Sequence, residues 1–139
     1  MGCTKVSPGC DNCYMFRDMR QYGRNPEIVQ RTSKATFTAP LRWKEPRRIF
    51  TCSWGDFFHS AANAWREEAW EIIQRTPWHT YQILTKRPGL MVQWAKDHSW
   101  PEHVWAGTSV ESQKYAPRLD VLARVPARVR FVSVEPMLG

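Results

Sequence analysis

Three of the chain's four cysteines, Cys3, Cys10 and Cys13, are crowded into the stretch Met1-Gly-Cys-Thr-Lys-Val-Ser-Pro-Gly-Cys-Asp-Asn-Cys-Tyr14. Ser7-Pro8-Gly9 breaks any regular element before Cys10, and Asp11-Asn12 favours a tight bend before Cys13, so three thiols can converge on one point. No secretory signal precedes them and three is an odd number to pair, which argues against disulfides. Soft thiolates at such spacing suit zinc or an iron–sulfur cluster. A structural zinc ion wants four protein ligands, so Cys52 or a histidine would have to complete the set. A cubane on three cysteines leaves one iron open to the amino and carboxylate groups of a small molecule such as S-adenosylmethionine. Spacing alone leaves cluster, zinc and three free cysteines all open.

The elements that must position these thiols follow from periodicity. Residues 14–22 carry a helical spacing that Gly23 stops, so the cysteine loop leads straight into a helix. Residues 24–48 are polar, basic and interrupted by Pro26, Pro40 and Pro46, which predicts a long excursion with short elements at most. Four short runs rich in β-formers follow at 48–54, 81–85, 103–110 and 129–134. Helical stretches at 61–76, 89–98 and 115–124 separate them. In the first of these helices Trp65, Ala69, Ile72 and Ile73 form the inward stripe, with Arg66 among the residues facing water. In the later two, Leu90, Met91, Trp94, Ala95, Leu119, Leu122 and Ala123 face inward. Cys52 falls inside the first strand and reads as a small core side chain rather than a ligand.

This strict alternation predicts an α/β fold in one domain spanning 1–139, with 1–23 as metal-binding loop and first helix and 49–139 as β/α repeats around about four parallel strands. The strands finish on ionisable residues: Asp56, Lys86, Glu111 and Glu135. In parallel α/β folds the carboxyl ends of strands build the ligand site, so these groups are expected on one rim. The plainer alternative is that strands end where polar loops begin. His59, three residues past Asp56, is a candidate acid or ligand on that rim, whereas His79, His98 and His103 read as surface or core histidines. A closed eight-stranded barrel needs roughly 200 residues or more. With a cysteine loop at one end and a strand at the other, the chain therefore reads as an internal fragment with exposed sheet edges.

The net charge is +7. Residues 1–48 hold ten Lys/Arg against four Asp/Glu, and the remainder ten against nine, so the excess is local to Arg17, Arg20, Arg24, Arg31, Lys34, Arg42, Lys44, Arg47 and Arg48. Such a stretch (17–48) can meet nucleic-acid phosphates or simply form a solvated face. No run approaches the roughly 18 apolar residues of a membrane span, and the reading is a cytoplasmic chain without a membrane partner.

Five segments, taken in order, resemble the successive motifs of a phage-type family of unassigned function that carries a three-cysteine motif and is regarded as radical-SAM-like. They are Gly2-Cys-Thr-Lys-Val-Ser-Pro-Gly-Cys-Asp-Asn-Cys-Tyr14, Asp56-Phe-Phe-His59, Gln82-Ile-Leu-Thr-Lys-Arg-Pro88, Val104-Trp-Ala-Gly-Thr-Ser-Val-Glu-Ser-Gln113 and Arg130-Phe-Val-Ser-Val-Glu-Pro-Met-Leu-Gly139. The resemblance implies a partial radical-SAM-like (β/α) barrel in which Cys3, Cys10 and Cys13 hold a [4Fe–4S] cluster and S-adenosylmethionine binds the fourth iron. It places Gly55 and Asp56 near the methionine amino group and Ser109 and Glu111 near the ribose or substrate. Lys86, Arg87, Glu135 and His59 become candidates for substrate binding or proton transfer. It also implies a separately encoded partner protein in many members, and leaves substrate and reductant unnamed. Two departures stand out: six residues separate Cys3 from Cys10 where the common spacing is C-x3-C-x2-C, and Asn12 replaces the usual aromatic, with Tyr14 following to pack the cofactor. The alternative reading from the residues is a zinc-stabilised nucleic-acid-binding module.

Overall fold

The computed structural model describes residues 1–138. Four strands, β1 (Arg48–Thr51), β2 (Thr80–Thr85), β3 (Val104–Ser109) and β4 (Arg130–Ser133), form one all-parallel sheet in the order β1-β2-β3-β4. The order runs one way across the sheet, without the reversal that marks a doubly wound fold. The five helices are α1 (Tyr14–Gln21), α2 (Lys34–Phe37), α3 (Asn63–Arg75), α4 (Pro88–Asp97) and α5 (Arg118–Leu122). Helices α3, α4 and α5 make the crossovers that parallel pairing requires.

The first helix forms because Met15, Phe16 and Met19 share one buried face. It ends with Gly23 at φ +67, whose amide bonds to the Arg20 carbonyl while that of Arg24 bonds to Met19, a left-handed cap that satisfies the last carbonyls. The excursion that follows contains only α2 and a 3-10 turn at Ala39–Arg42.

One face of the sheet carries the core. In β2, Tyr81, Ile83 and Thr85 are buried while their neighbours are half-buried, the period of two expected of a strand with unequal faces. Tyr81, Ile83, Val104 and Ala106 pack with Trp70 and Ile73 of α3, Met91 of α4 and Leu122 of α5. The opposite face bears Phe50, Gln82 and Trp105 in one row of the register and Leu84, Gly107 and Phe131 in the next. These aromatics are half-buried or, for Phe50, 46% exposed. A Cβ added at Gly107 would lie 2.3 Å from the Phe131 ring, so the glycine makes room for the aromatic on the next strand. Gly107→Ala is therefore expected to cost about 1–3 kcal/mol by overpacking. Urea denaturation checks this, and the second substitution Phe131→Ala is expected to relieve most of that cost.

Several inward assignments are corrected. Strand β1 stops at Thr51, and Cys52 is exposed in a turn at φ +59 rather than buried in the strand. Arg66, expected in water, is buried and Trp70 is the aromatic at the centre of the core. Leu90 and Leu119 lie outward, because Met91 and Leu122 take the core-facing positions of α4 and α5. The last helix is also shorter than its pattern, with a 3-10 turn at Gln113–Tyr115 preceding five α-helical residues.

Candidate functional site

The N-terminal arm is stitched to the carboxyl end of the sheet by main-chain bonds. The Gly2 amide donates to the Trp54 carbonyl and that of Cys3 to Pro26, both at 2.9 Å, and Gly2 pairs with Gly55 in a parallel bridge. Gly2 sits at φ +90, and a Cβ there would meet the Ile28 carbonyl, so the arm passes where no side chain fits. Beyond it, Pro8–Cys10 form a 3-10 turn, and Cys13 caps α1. Gly9 rests on the side chains of Glu111 and Pro136, each 3.1 Å from where a Cβ would be. The cysteine loop is thereby pressed down onto the ends of β3 and β4.

Cys3, Cys10 and Cys13 line one cleft of about 170 Å³. Phe50 and Leu84, from the sheet face that no crossover helix covers, form part of its wall. Its rim carries Tyr14, Gly55, Asp56, Lys86, Arg87 and Ser109, six of the nine residues expected there besides the cysteines. Among the described residues, no three His, Cys, Asp or Glu side chains gather closely enough to hold a single ion. The three thiols border one cavity.

Two buried carboxylates organise the rim. Asp56 Oδ1 accepts hydrogen bonds from the Phe58 amide (2.9 Å) and the Thr85 hydroxyl (2.7 Å). Its Oδ2 accepts from the Lys86 amide (3.2 Å) and from Arg87 Nη1 (2.8 Å). Every acceptor direction of Asp56 is in use, which makes it a brace between the ends of β1 and β2. Arg87 also reaches into the cysteine loop: Nη2 donates to the Thr4 carbonyl (2.9 Å) and hydroxyl (3.0 Å), and Nη1 lies 3.7 Å from Cys3 Sγ. Burial pushes the Cys3 thiol up, and the charge and N–H of Arg87 pull it back only in part.

Glu111, wholly enclosed, receives Arg118 Nη1 at 2.7 Å and Lys86 Nζ at 3.5 Å on Oε2. Oε1 meets no donor at ordinary geometry among the described residues, although the Ser7 hydroxyl lies near the carboxyl. Burial opposes the charge of Glu111, but Ser7, Lys86 and Arg118 outweigh it and hold the carboxyl below its ordinary value of 4.5. A carboxyl depressed in the folded chain adds stability above its unfolded value, and that share is lost as pH falls through the folded one. Wild-type protein is therefore expected to lose more stability than Glu111→Gln between about pH 5 and about pH 3, read from urea midpoints.

The remaining expected residues lie outside the cleft. His59 Nδ1 accepts the Ala61 amide, which leaves Nε2 protonated to donate to the Thr4 hydroxyl at 3.0 Å. Burial and then the neighbouring Arg87 lower its pKa, which favours the neutral ring near pH 7. Glu135 is exposed and joins the cluster only through its carbonyl, which accepts from Lys86 Nζ at 3.4 Å. Tyr14 donates its hydroxyl to the Ser53 carbonyl at 2.6 Å, fixing the start of α1 over the cleft. Cys52, also on the cleft wall, has its thiol pushed up to about 11 by desolvation. Sequence reasoning missed Thr4, Thr85 and Arg118. Thr85 was within reach, being the strand residue before Lys86-Arg87. Nothing local marks Thr4, whose partners His59 and Arg87 are distant in the chain, whereas Arg118 binds Glu111 only seven residues before it.

The whole chain, residues 1–139, matches the family described as Protein of unknown function (DUF5131). The chain belongs to that family. The match takes in the cysteine loop, the four strands and the rim residues together, so the cleft is built entirely from sequence that the family spans. No curated protein and no solved structure matches the chain.

Proposed function

We propose that the chain is a radical S-adenosylmethionine enzyme, with Cys3, Cys10 and Cys13 as ligands of a [4Fe–4S] cluster and the sheet as an arc of a (β/α) barrel. The observation that carries this is the placement of three thiols and two cations, Lys86 and Arg87, on one cleft at the carboxyl ends of parallel strands. A structural zinc ion asks for four protein ligands, whereas a cluster can be held by three thiolates and keep one iron open to a small molecule. When bound, the cluster supplies the electron that cleaves S-adenosylmethionine to a 5′-deoxyadenosyl radical, the chemistry belonging to the cofactor.

The chain's own residues do the rest. Arg87 and Asp56 fix the first cysteine against the sheet, and Gly55 leaves main chain bare beside it. Lys86, 19% exposed and braced by Glu111, presents a cation to the cleft for a carboxylate or phosphate of the bound molecule. Phe50, Leu84 and Tyr14 give apolar surface that excludes water. The strand order and the uncovered face, with its half-buried aromatics, suit a barrel interior.

Anaerobic reconstitution with iron and sulfide tests the reading. About four irons per chain and an EPR signal that changes on adding S-adenosylmethionine are expected. Retention of zinc with no cluster would move the function to binding. Within the basic stretch Arg31 is held by Glu68 and Arg17 by Asp18, while Arg47 and Arg48 lie over the rings of Trp43 and Trp105, and salt-dependent nucleic-acid binding would support that alternative.

A further inference from the structure

Arg87 stands where β2 ends and α4 begins, with its side chain 13% exposed, and its guanidinium is divided between two tasks. One edge is pinned by the buried carboxylate of Asp56, and the other holds both polar oxygens of Thr4. The nitrogen that Asp56 orients is also the one aimed at Cys3 Sγ, 3.7 Å away. The sequence alone suggests a substrate-binding role for Arg87, yet both of its terminal nitrogens are engaged by the protein.

We propose that Arg87 is a positioning residue that donates an N–H to the Cys3 sulfur and thereby sets the reduction potential of the group this sulfur holds. The inference rests on the cluster reading above. An N–H directed at a ligand sulfur withdraws electron density from it and stabilises the reduced, more negative state of a cluster, so hydrogen bonding to sulfur is one of the main controls of potential. Asp56 acts as the outer partner that aims the donor. Cys10 and Cys13 receive no comparable cation among the described residues, so the three ligands are electronically unequal and the corner at Cys3 is the most strongly perturbed.

The test is redox titration of the reconstituted full chain, followed by EPR, for wild type and three variants. Arg87→Lys keeps a cation for Asp56 but loses the planar fork that serves Thr4 and Cys3 together. The pair Arg87→Gln with Asp56→Asn removes both charges and avoids stranding a buried carboxylate, which a lone Arg87→Gln would do. Arg128→Gln, on an exposed arginine far from the cleft, is the control. A midpoint potential more negative in both Arg87 variants, with near-normal iron content and an unchanged control, is the expected result. Clusters of unaltered potential in folded Arg87 variants overturn the inference and leave the cluster reading standing. A wild-type chain that takes up no iron and sulfide overturns both.

Discussion

Asp56→Ala is expected to destabilise the chain by about 3–5 kcal/mol, the range for breaking one side of a buried ion pair. The carboxylate is 7% exposed and its partner arginine 13%. Its removal leaves the Arg87 cation without its counter-charge and strands the Phe58 and Lys86 amides and the Thr85 hydroxyl together. Each of those groups was desolvated on folding, so none recovers water without opening the strand ends. Asp56→Asn, which keeps the shape and one acceptor, is expected to cost less. Equilibrium urea unfolding of both variants checks the order, and equal stability of wild type and Asp56→Ala would show that the brace is dispensable.

The second large effect concerns loading. Cys10→Ala and Cys13→Ala are each expected to abolish cluster assembly, while Cys52→Ala leaves iron content nearly unchanged. All four thiols border the same cleft, so proximity does not separate them. Cys52 differs in lying outside the 3–13 loop, on a turn with a left-handed backbone that follows β1. Iron and sulfide counts on the three single variants decide it, and a loss with Cys52→Ala equal to that with Cys10→Ala would make the ligand set wrong.

The alternation of strands and helices was legible because it is written in local periodicity, and the parallel sheet follows from the lengths of the connections. The positions of Arg66, Leu90 and Leu119 were not legible. Arg66 is buried because the Phe57 and His59 carbonyls and the Asn63 side chain receive its three donors, and those acceptors belong to a turn whose shape no pattern announces. Leu90 and Leu119 satisfy a helical stripe on paper, but helices of ten and five residues have room for few inward positions, and neighbouring side chains take them. The rim showed itself as strand ends carrying charge. Which charges meet depends on which strand ends lie side by side, so the pairing of Asp56 with Arg87 could only be seen in three dimensions.

The stitching of the N-terminal arm has a consequence for the order of events during synthesis. The thiols leave the ribosome before the strands do, and chains emerge at about 5–20 residues per second. The residues that hold them in place come later: Trp54 and Gly55 beside Gly2, Arg87 over Thr4, and finally Glu111 under Gly9. The contacts around the cysteines are therefore completed only after most of the described chain has been made, although the thiols themselves emerge early.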